Sequence, residues 1–401
     1  MSKYTADFET STPKWLEKDE ESRVWAWAIH SIGGDEFHYG NSIDSFFEWC
    51  FKDKRKNHTL YFHNLKFDGE YIFYYLLTHG YEVVQTKKEA HDKSFLCLIS
   101  DTGQFYSIEI YDKVGKYPNK VTIFDSMKIL NFGVDEIAKD FSLPISKLKL
   151  DYDLYREVGH ELTEDEVAYI KNDVKIMALA LDIMFKEGLT KMTIGSDALH
   201  NFKNMVSSFD LYFPTLSFEI DKSIRESYKG GFTYLNPLYK EKDVKEDIIV
   251  LDSNSMHPSH MMNDWMPMGE PMYYLGEYQE DVLHPLYIQR LSCSFKIKEG
   301  KIPSIQLKHS FSFLPNEYIE DTHGEIVDLT LTSVDLELFF MQYDLTSEVV
   351  YHDGFKFKRI KGLFGEYINH WTKQKINAKK EGNDALYSIA KLMLNSLYGW
   401  R

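Results

Sequence analysis

Asp7 and Glu9 stand two residues apart in the segment DFET, at the end of a short β-branched and aromatic run. The period-two alternation of a strand puts both carboxylates on one face. Two acids on a mostly apolar sheet are costly unless something neutralises them, and a divalent cation would do so. An exposed edge strand with two solvated acids is the plainer alternative, and for this pair alone it is the better one. Two further acids change the balance. Asp68 opens a helical stretch after HNLKF, and Asp173 lies inside a longer helical run four residues after Tyr169, so Asp173 and Tyr169 share a face. Aspartate is a poor helix former, and its place in a half-buried helix asks for a reason. Four carboxylates offering oxygen ligands suit Mg2+ or Mn2+. Two such ions about 3.5–4 Å apart can activate a water and stabilise the leaving oxygen of a phosphodiester.

A second set of residues lies further along. Asp252 closes the apolar run EDIIVLD and is followed by the turn-forming residues 253–258. By itself this is equally an aspartate capping a strand end. In KLMLNSLYG, Lys391, Asn395 and Tyr398 fall at i, i+4 and i+7 on one helical face. A packed amphipathic helix with a solvated lysine would give the same spacing. Gly230-Gly231, after Tyr228-Lys229, marks a turn or a close backbone approach.

The elements that must hold these residues are legible in outline. Residues 4–8, 24–29, 59–62, 107–111 and 121–124 read as strands, and residues 68–77 as a helix. Thr163 with Glu166 three residues on makes a capping box for a helix over 164–187, which Gly188 can end. Strands flanked by helices imply an α/β domain. Residues 246–251 read as a buried strand running into Asp252. More strands follow over 287–353, and helix returns over 363–398 with a break near Gly382.

Composition bounds the rest. The 401 residues allow two to three domains, and a 43% hydrophobic fraction excludes a disordered chain. A formal charge of −16 argues against a protein that coats DNA nonspecifically, but not against an enzyme whose basic residues line one channel. Cys50, Cys97 and Cys293 are far apart, so a zinc site or a disulfide framework is not expected, and a reducing, cytosolic setting is. The start MSKYTADFET has no apolar segment of a signal peptide. The longest apolar stretch, 176–185, is too short to span a bilayer, and no membrane partner is expected.

DFET at 7–10, HNLKFD at 63–68 and YIKND at 169–173 resemble, in order, the three exonuclease motifs of family B DNA polymerases, and the resemblance is closest to the protein-primed polymerases of small Bacillus phages. It implies an RNase H-like 3'→5' exonuclease domain, within a mixed α/β and α+β chain, followed by an incomplete palm and fingers polymerase module. It makes Asp7, Glu9, Asp68 and Asp173 the ligands of two Mg2+ or Mn2+ ions, has Tyr169 orient the attacking water, and puts Lys147 beside the scissile phosphate. Thr10, Tyr61, His63, Asn64, Phe67, Ser126, Met127 and Tyr152 match positions that hold the frayed primer end. Asp252 matches the first polymerase carboxylate, which holds both catalytic metals, with Ser255, Met256 and His257 meeting the incoming dNTP. His257 stands where the family has a tyrosine that rejects a 2'-hydroxyl. Lys391, Asn395 and Tyr398 match the nucleotide-binding helix, and Lys375 and Lys379 compete for a second phosphate-binding role. Tyr228, Gly230 and Gly231 resemble the linker that coordinates the primer strand.

By the same resemblance, residues 1–193 form the exonuclease, 194–263 the start of the palm, 264–362 an insertion that binds the terminal protein primer, and 363–401 the fingers. The family's third polymerase motif, a Tyr-x-Asp-Thr-Asp hairpin, is not found in the sequence. The expectation is the N-terminal portion of a protein-primed DNA polymerase with 3'→5' exonuclease, working on primer-template DNA, single-stranded 3' ends and dNTPs in the cytoplasm of an infected bacterium. The missing motif is expected to reflect a fragment, a truncated reading frame, or the first piece of a split polymerase whose palm a separate C-terminal polypeptide would complete. The alternatives are a metal-dependent exonuclease alone, and an inactive remnant that binds DNA or the terminal protein.

Overall fold

A computed structural model describes residues 2–17, 21–52, 57–115, 118–245, 247–253, 255–306 and 318–398. The chain divides into two compact units, Met1–Phe202 with Tyr367–Arg401, and Lys203–Glu366. The mixed α/β character expected from the sequence is found.

The first unit is built on eight strands: β1 (Ser2–Thr10), β2 (Val24–Ser31), β3 (Phe37–Gly40), β4 (Asn57–Phe62), β5 (Glu82–Val83), β6 (Ser94–Ile99), β7 (Phe105–Lys113) and β8 (Asn119–Asp125). They form one sheet in the order β3-β2-β1-β4-β8-β7-β6-β5. The centre, β1-β4-β8, is parallel; β2, β3, β6 and β7 extend it antiparallel, and β5 closes it parallel to β6. Its helices are α1 (Ile43–Phe51), α2 (Leu65–Thr78), α3 (Val134–Asp140), α4 (Glu164–Lys186) and α5 (Ile194–Met205), the last running past residue 202.

The alternation along β1 decides what each face of the sheet meets. Tyr4, Ala6 and Phe8 join a core with Phe46, Phe47 and Cys50 of α1 and Leu65, Ile72 and Leu76 of α2. Burying a ring such as Phe46 contributes roughly 1.5–3 kcal/mol. Thr5, Asp7 and Glu9 take the other face. There the Thr5 hydroxyl donates to the Val174 carbonyl of α4 at 2.7 Å, and Trp25, Ala26 and Ala28 of β2 pack with Tyr169, Ile170 and Val174. The capping box at the start of α4 is complete: Thr163 accepts from the Glu166 N–H, and Glu166 accepts from the Thr163 N–H.

The second unit has helices α6 (Phe209–Tyr212), α7 (Phe218–Arg225), α8 (Met256–Asn263) and α9 (Ser333–Gln342), and strands β9 (Trp265–Leu275), β10 (Leu286–Cys293), β11 (Phe295–Ile297), β12 (Val327–Thr332), β13 (Tyr343–Leu345) and β14 (Val350–Lys361). Four strands form a sheet in the order β12-β10-β14-β9, and β11 pairs with β13. Gly354 of β14 lies so close to β10 that a Cβ there would stand 2.0 Å from the Ile288 carbonyl oxygen, so only glycine fits. The helices α10 (Gly365–Glu381) and α11 (Asp384–Ser396) follow, parted at Gly382 with φ +69°. Within the first unit, Tyr367 donates to the Met393 carbonyl at 2.7 Å and Trp371 Nε1 to Asn201 at 3.0 Å.

One expected element is absent. Residues 247–251 form no strand, and Ile248 to Leu251 are 71–89% exposed. An apolar run becomes a strand only where a neighbour pairs its backbone N–H and C=O groups. None of the described strands does so for 247–251. The three cysteines are free thiols. Among the described residues no helix is long and apolar enough to cross a membrane.

Candidate functional site

The odd-numbered face of β1 and the inner face of α4 bring three carboxylates together. One oxygen from each of Asp7, Glu9 and Asp173 lies within 4.8 Å of the others. Asp68, in the first turn of α2, is 3% exposed and near enough that the charges of Asp7 and Glu9 raise its pKa. Burial is the largest cause of a raised pKa in all four acids. Asp7 is pushed from its ordinary 3.8 to about 7, by burial and then by the charge of Asp173. One oxygen each of Asp68 and Asp173 is buried with no hydrogen-bond partner. Orphaned carboxylate oxygens packed against like charges are what a cluster of divalent-cation ligands looks like without its cation. The donor set fits Mg2+ or Mn2+: it is all oxygen, and no thiolate or imidazole belongs to it.

Three further groups flank the acids. Lys147 Nζ is 3.3 Å from Asp173 Oδ2. Burial works against its charge, but Asp173, Tyr152 and Asp7 outweigh that and raise its pKa, so it stays a cation. The hydroxyls of Tyr152 and Tyr169 are 2.5 Å apart. Burial, and then the bond to Tyr152, keep the Tyr169 phenol protonated. Tyr152 itself is 44% exposed.

The residues matched to a frayed primer end differ in exposure and setting. Phe67 is 53% exposed, its ring 6.0 Å from that of Tyr71, and offers a free aromatic face. Asn64 is exposed and left-handed at φ +72°, and Thr10 follows a register shift at the end of β1. His63, Ser126 and Met127 sit where β4 and β8 end. The His63 ring is occupied internally: Nε2 is 2.7 Å from the Phe132 carbonyl and Nδ1 3.1 Å from Ser126 Oγ, and burial lowers its pKa. Tyr61 is 6% exposed, with its ring 5.6 Å from those of Phe124 and Phe185.

Sequence reasoning missed two residues here. Asp125 is buried and accepts from the N–H groups of Asn64 and Met127, at 3.0 Å each. It thereby holds the left-handed turn that opens α2 and presents Asp68. Arg156 is 2% exposed and pairs with Glu166. A buried arginine is rare enough to mark a site, but its burial cannot be read from its neighbours in sequence.

The polymerase-like residues lie in both units. In the first, Lys391, Asn395 and Tyr398 line a cavity of about 690 Å3 together with Asn131, Lys139 and Tyr387; neither Lys375 nor Lys379 lines it. In the second, Asp252 is exposed in irregular chain, Ser255 is left-handed at φ +51° before α8, and Met256 and His257 begin that helix. Tyr228 is 54% exposed, and nothing packs within 4 Å of where a Cβ would stand on Gly230 or Gly231, so neither glycine is required by a close approach within the chain.

An α/β sheet with a buried carboxylate centre, and a separate lysine-bearing helix over a cavity, define an enzyme that handles nucleotides and phosphodiesters. The chain belongs to the DNA polymerase type B family, organellar and viral, whose model matches residues 50–160 and 155–400. Within that family it is of the phi29 type. It is 46% identical over 400 residues to the DNA polymerase of Bacillus phage M2, covering 99% of this chain and 67% of that protein. The orthorhombic crystal form of phi29 DNA polymerase is similar with a TM-score of 0.90 and 43% identity, over 99% of this chain and 67% of the other. A phi29 ternary complex with primer-template DNA and incoming nucleotide substrates is similar with a TM-score of 0.86 and 43% identity, over 99% and 68%.

Proposed function

We propose that this chain is a 3'→5' exonuclease joined to the nucleotide-binding part of a protein-primed DNA polymerase, acting in the cytoplasm of an infected bacterial cell. The observation that carries the exonuclease is the meeting of Asp7, Glu9 and Asp173 within 4.8 Å on the buried face between β1 and α4. In this reading Asp7, Glu9, Asp68 and Asp173 hold two divalent cations, which when bound supply an activated water and stabilise the leaving oxygen. The remaining work belongs to side chains of the chain. Tyr169, protonated and fixed by Tyr152, orients the water. Lys147 offsets charge building up on the phosphate. Phe67 and Asn64 take the unpaired 3' end by stacking and hydrogen bonding.

The polymerase elements rest on the family. Lys391, Asn395 and Tyr398 would receive a dNTP, with Lys375 or Lys379 adding a second phosphate contact. Asp252 would hold metal, with Ser255, Met256 and His257 beside the triphosphate. Tyr228, Gly230 and Gly231 would follow the primer strand, and residues 264–362 would receive the terminal protein. The domain limits 1–193, 194–263, 264–362 and 363–401 belong to the same proposal. One gel tests the reading: a labelled primer-template, the purified chain and Mg2+, with and without dNTPs. Shortening without dNTPs supports the exonuclease, and extension with them supports the polymerase elements. No shortening overturns the exonuclease.

A further inference from the structure

Lys147 and Tyr152 reach the carboxylates from a segment, residues 146–160, that contains neither helix nor strand. Such chain does not hold a side chain in place by its own hydrogen bonds, so its path must be set from outside. Among the ties that set it, two come from α4. Near one end, Asn172 Nδ2 donates to the Ser146 carbonyl at 2.6 Å. Near the other, Arg156 Nε donates to Glu166 Oε1 at 2.5 Å. The same guanidinium donates from NH1 to the carbonyls of Asp151 and Leu154, at 3.2 and 2.8 Å, on either side of Tyr152 and Asp153. Its flat face lies 4.2 Å from the centre of the Trp25 ring in β2. Glu166 also takes His160 Nε2 at 2.8 Å and the Thr163 N–H at 3.0 Å. The Arg156 carbonyl in turn receives the Arg23 guanidinium.

We propose that Arg156 is a positioning residue of the carboxylate centre: through Glu166, the Asp151 and Leu154 carbonyls and Trp25, it fixes the loop that holds Tyr152 against Tyr169 and Lys147 against Asp173. The proposal rests on the exonuclease reading for its functional consequence. Stability alone does not explain the residue, because a buried ion pair is often matched or bettered by apolar side chains of equal volume. An apolar pair, however, has no fork to grip two carbonyls and a carboxylate in one plane. Glu166, Tyr169 and Asp173 fall at i, i+3 and i+7 on α4, so one helical face sets the anchor, the phenol and the metal ligand together.

The test uses the full chain with Arg156→Met and Glu166→Gln combined, which leaves no stranded charge and keeps the acceptor for Thr163, and separately Arg156→Lys. Initial cleavage rates of a labelled single-stranded oligonucleotide in Mg2+ are read against oligonucleotide concentration. Amide hydrogen exchange over 146–160 and the melting temperature are measured beside them. In the double variant kcat is expected to fall about ten- to a hundredfold with KM changed by less than about threefold, and exchange to quicken over 146–160 while the sheet stays protected. Arg156→Lys, which keeps the charge but loses the fork, is expected not to restore kcat. Wild-type kcat or unchanged exchange in the double variant overturns the proposal. If the double variant does not fold, wild-type kcat in Arg156→Lys overturns it. If the wild-type chain itself does not cleave, the exonuclease reading fails, and exchange over 146–160 alone decides whether Arg156 orders the loop.

Discussion

The two acidic positions that the sequence makes conspicuous, DFET and EDIIVLD, have opposite fates. Asp7 and Glu9 lie on a central strand that β2 pairs through both residues and that β4 pairs up to Ala6. The sheet therefore aims them at α4, where Asp7 is half-buried and Glu9 buried among like charges. Asp252 follows an apolar run whose backbone none of the described strands pairs, and it is exposed. The residues are of the same kind; the difference is whether neighbouring strands supply the hydrogen bonds that turn alternation into direction.

The largest effect that would break this contrast is on catalysis. Asp7→Ala is expected to reduce Mg2+-dependent 3'→5' cleavage by at least about a thousandfold, roughly 4 kcal/mol of barrier, with binding of single-stranded DNA retained. Undiminished cleavage in a timed gel would remove Asp7 from the metal centre. Next comes the linkage of stability to pH. Asp7 is raised from 3.8 to about 7 in the fold, so the native state binds that proton more tightly than the unfolded chain does. Without divalent cations the free energy of unfolding should therefore fall as pH rises from about 4 to 7, by an amount of the order of a few kcal/mol, and the melting temperature with it. Mn2+ should reverse the fall, raising the melting temperature more at pH 8 than at pH 5. Equal stabilisation at both pH values would mean that the carboxylates are not where the cation binds.

Smaller effects sharpen the comparison. Thr163→Ala removes the cap of the helix that carries Tyr169 and Asp173, and should cost about 1 kcal/mol in denaturant unfolding. Ile249→Ser, at a residue 84% exposed, should change stability by less than about 0.5 kcal/mol. A much larger loss there would show that the run is buried in solution.

What could be read from the sequence follows the range of the interactions. The Thr163–Glu166 box, the break at Gly382 and the shared face of Asp7 and Glu9 depend on residues a few positions apart, and their patterns are visible in the chain. The meeting of Asp173 with Asp7 was legible only through three motifs in a known order, because 166 positions separate the two residues. Arg156 and Asp125 were not legible, since each acts on backbone groups whose approach depends on the finished fold. The burial of Tyr61 was not legible either, because an aromatic residue on a strand fits either face, and only the packing with Phe124 and Phe185 decides which.

The first unit draws its parts from both sides of the 164 residues of Lys203–Glu366. On a ribosome adding about 5–20 residues per second, some 8–33 s pass between the emergence of Phe202 and that of Tyr367, whose ring lies 6.0 Å from it. During that interval Phe202 has no Tyr367 ring to pack against. Nascent chains should therefore carry a sticky surface that closes only when synthesis has passed α11, making this seam a natural place for a chaperone to bind and for slow translation to cause misassembly.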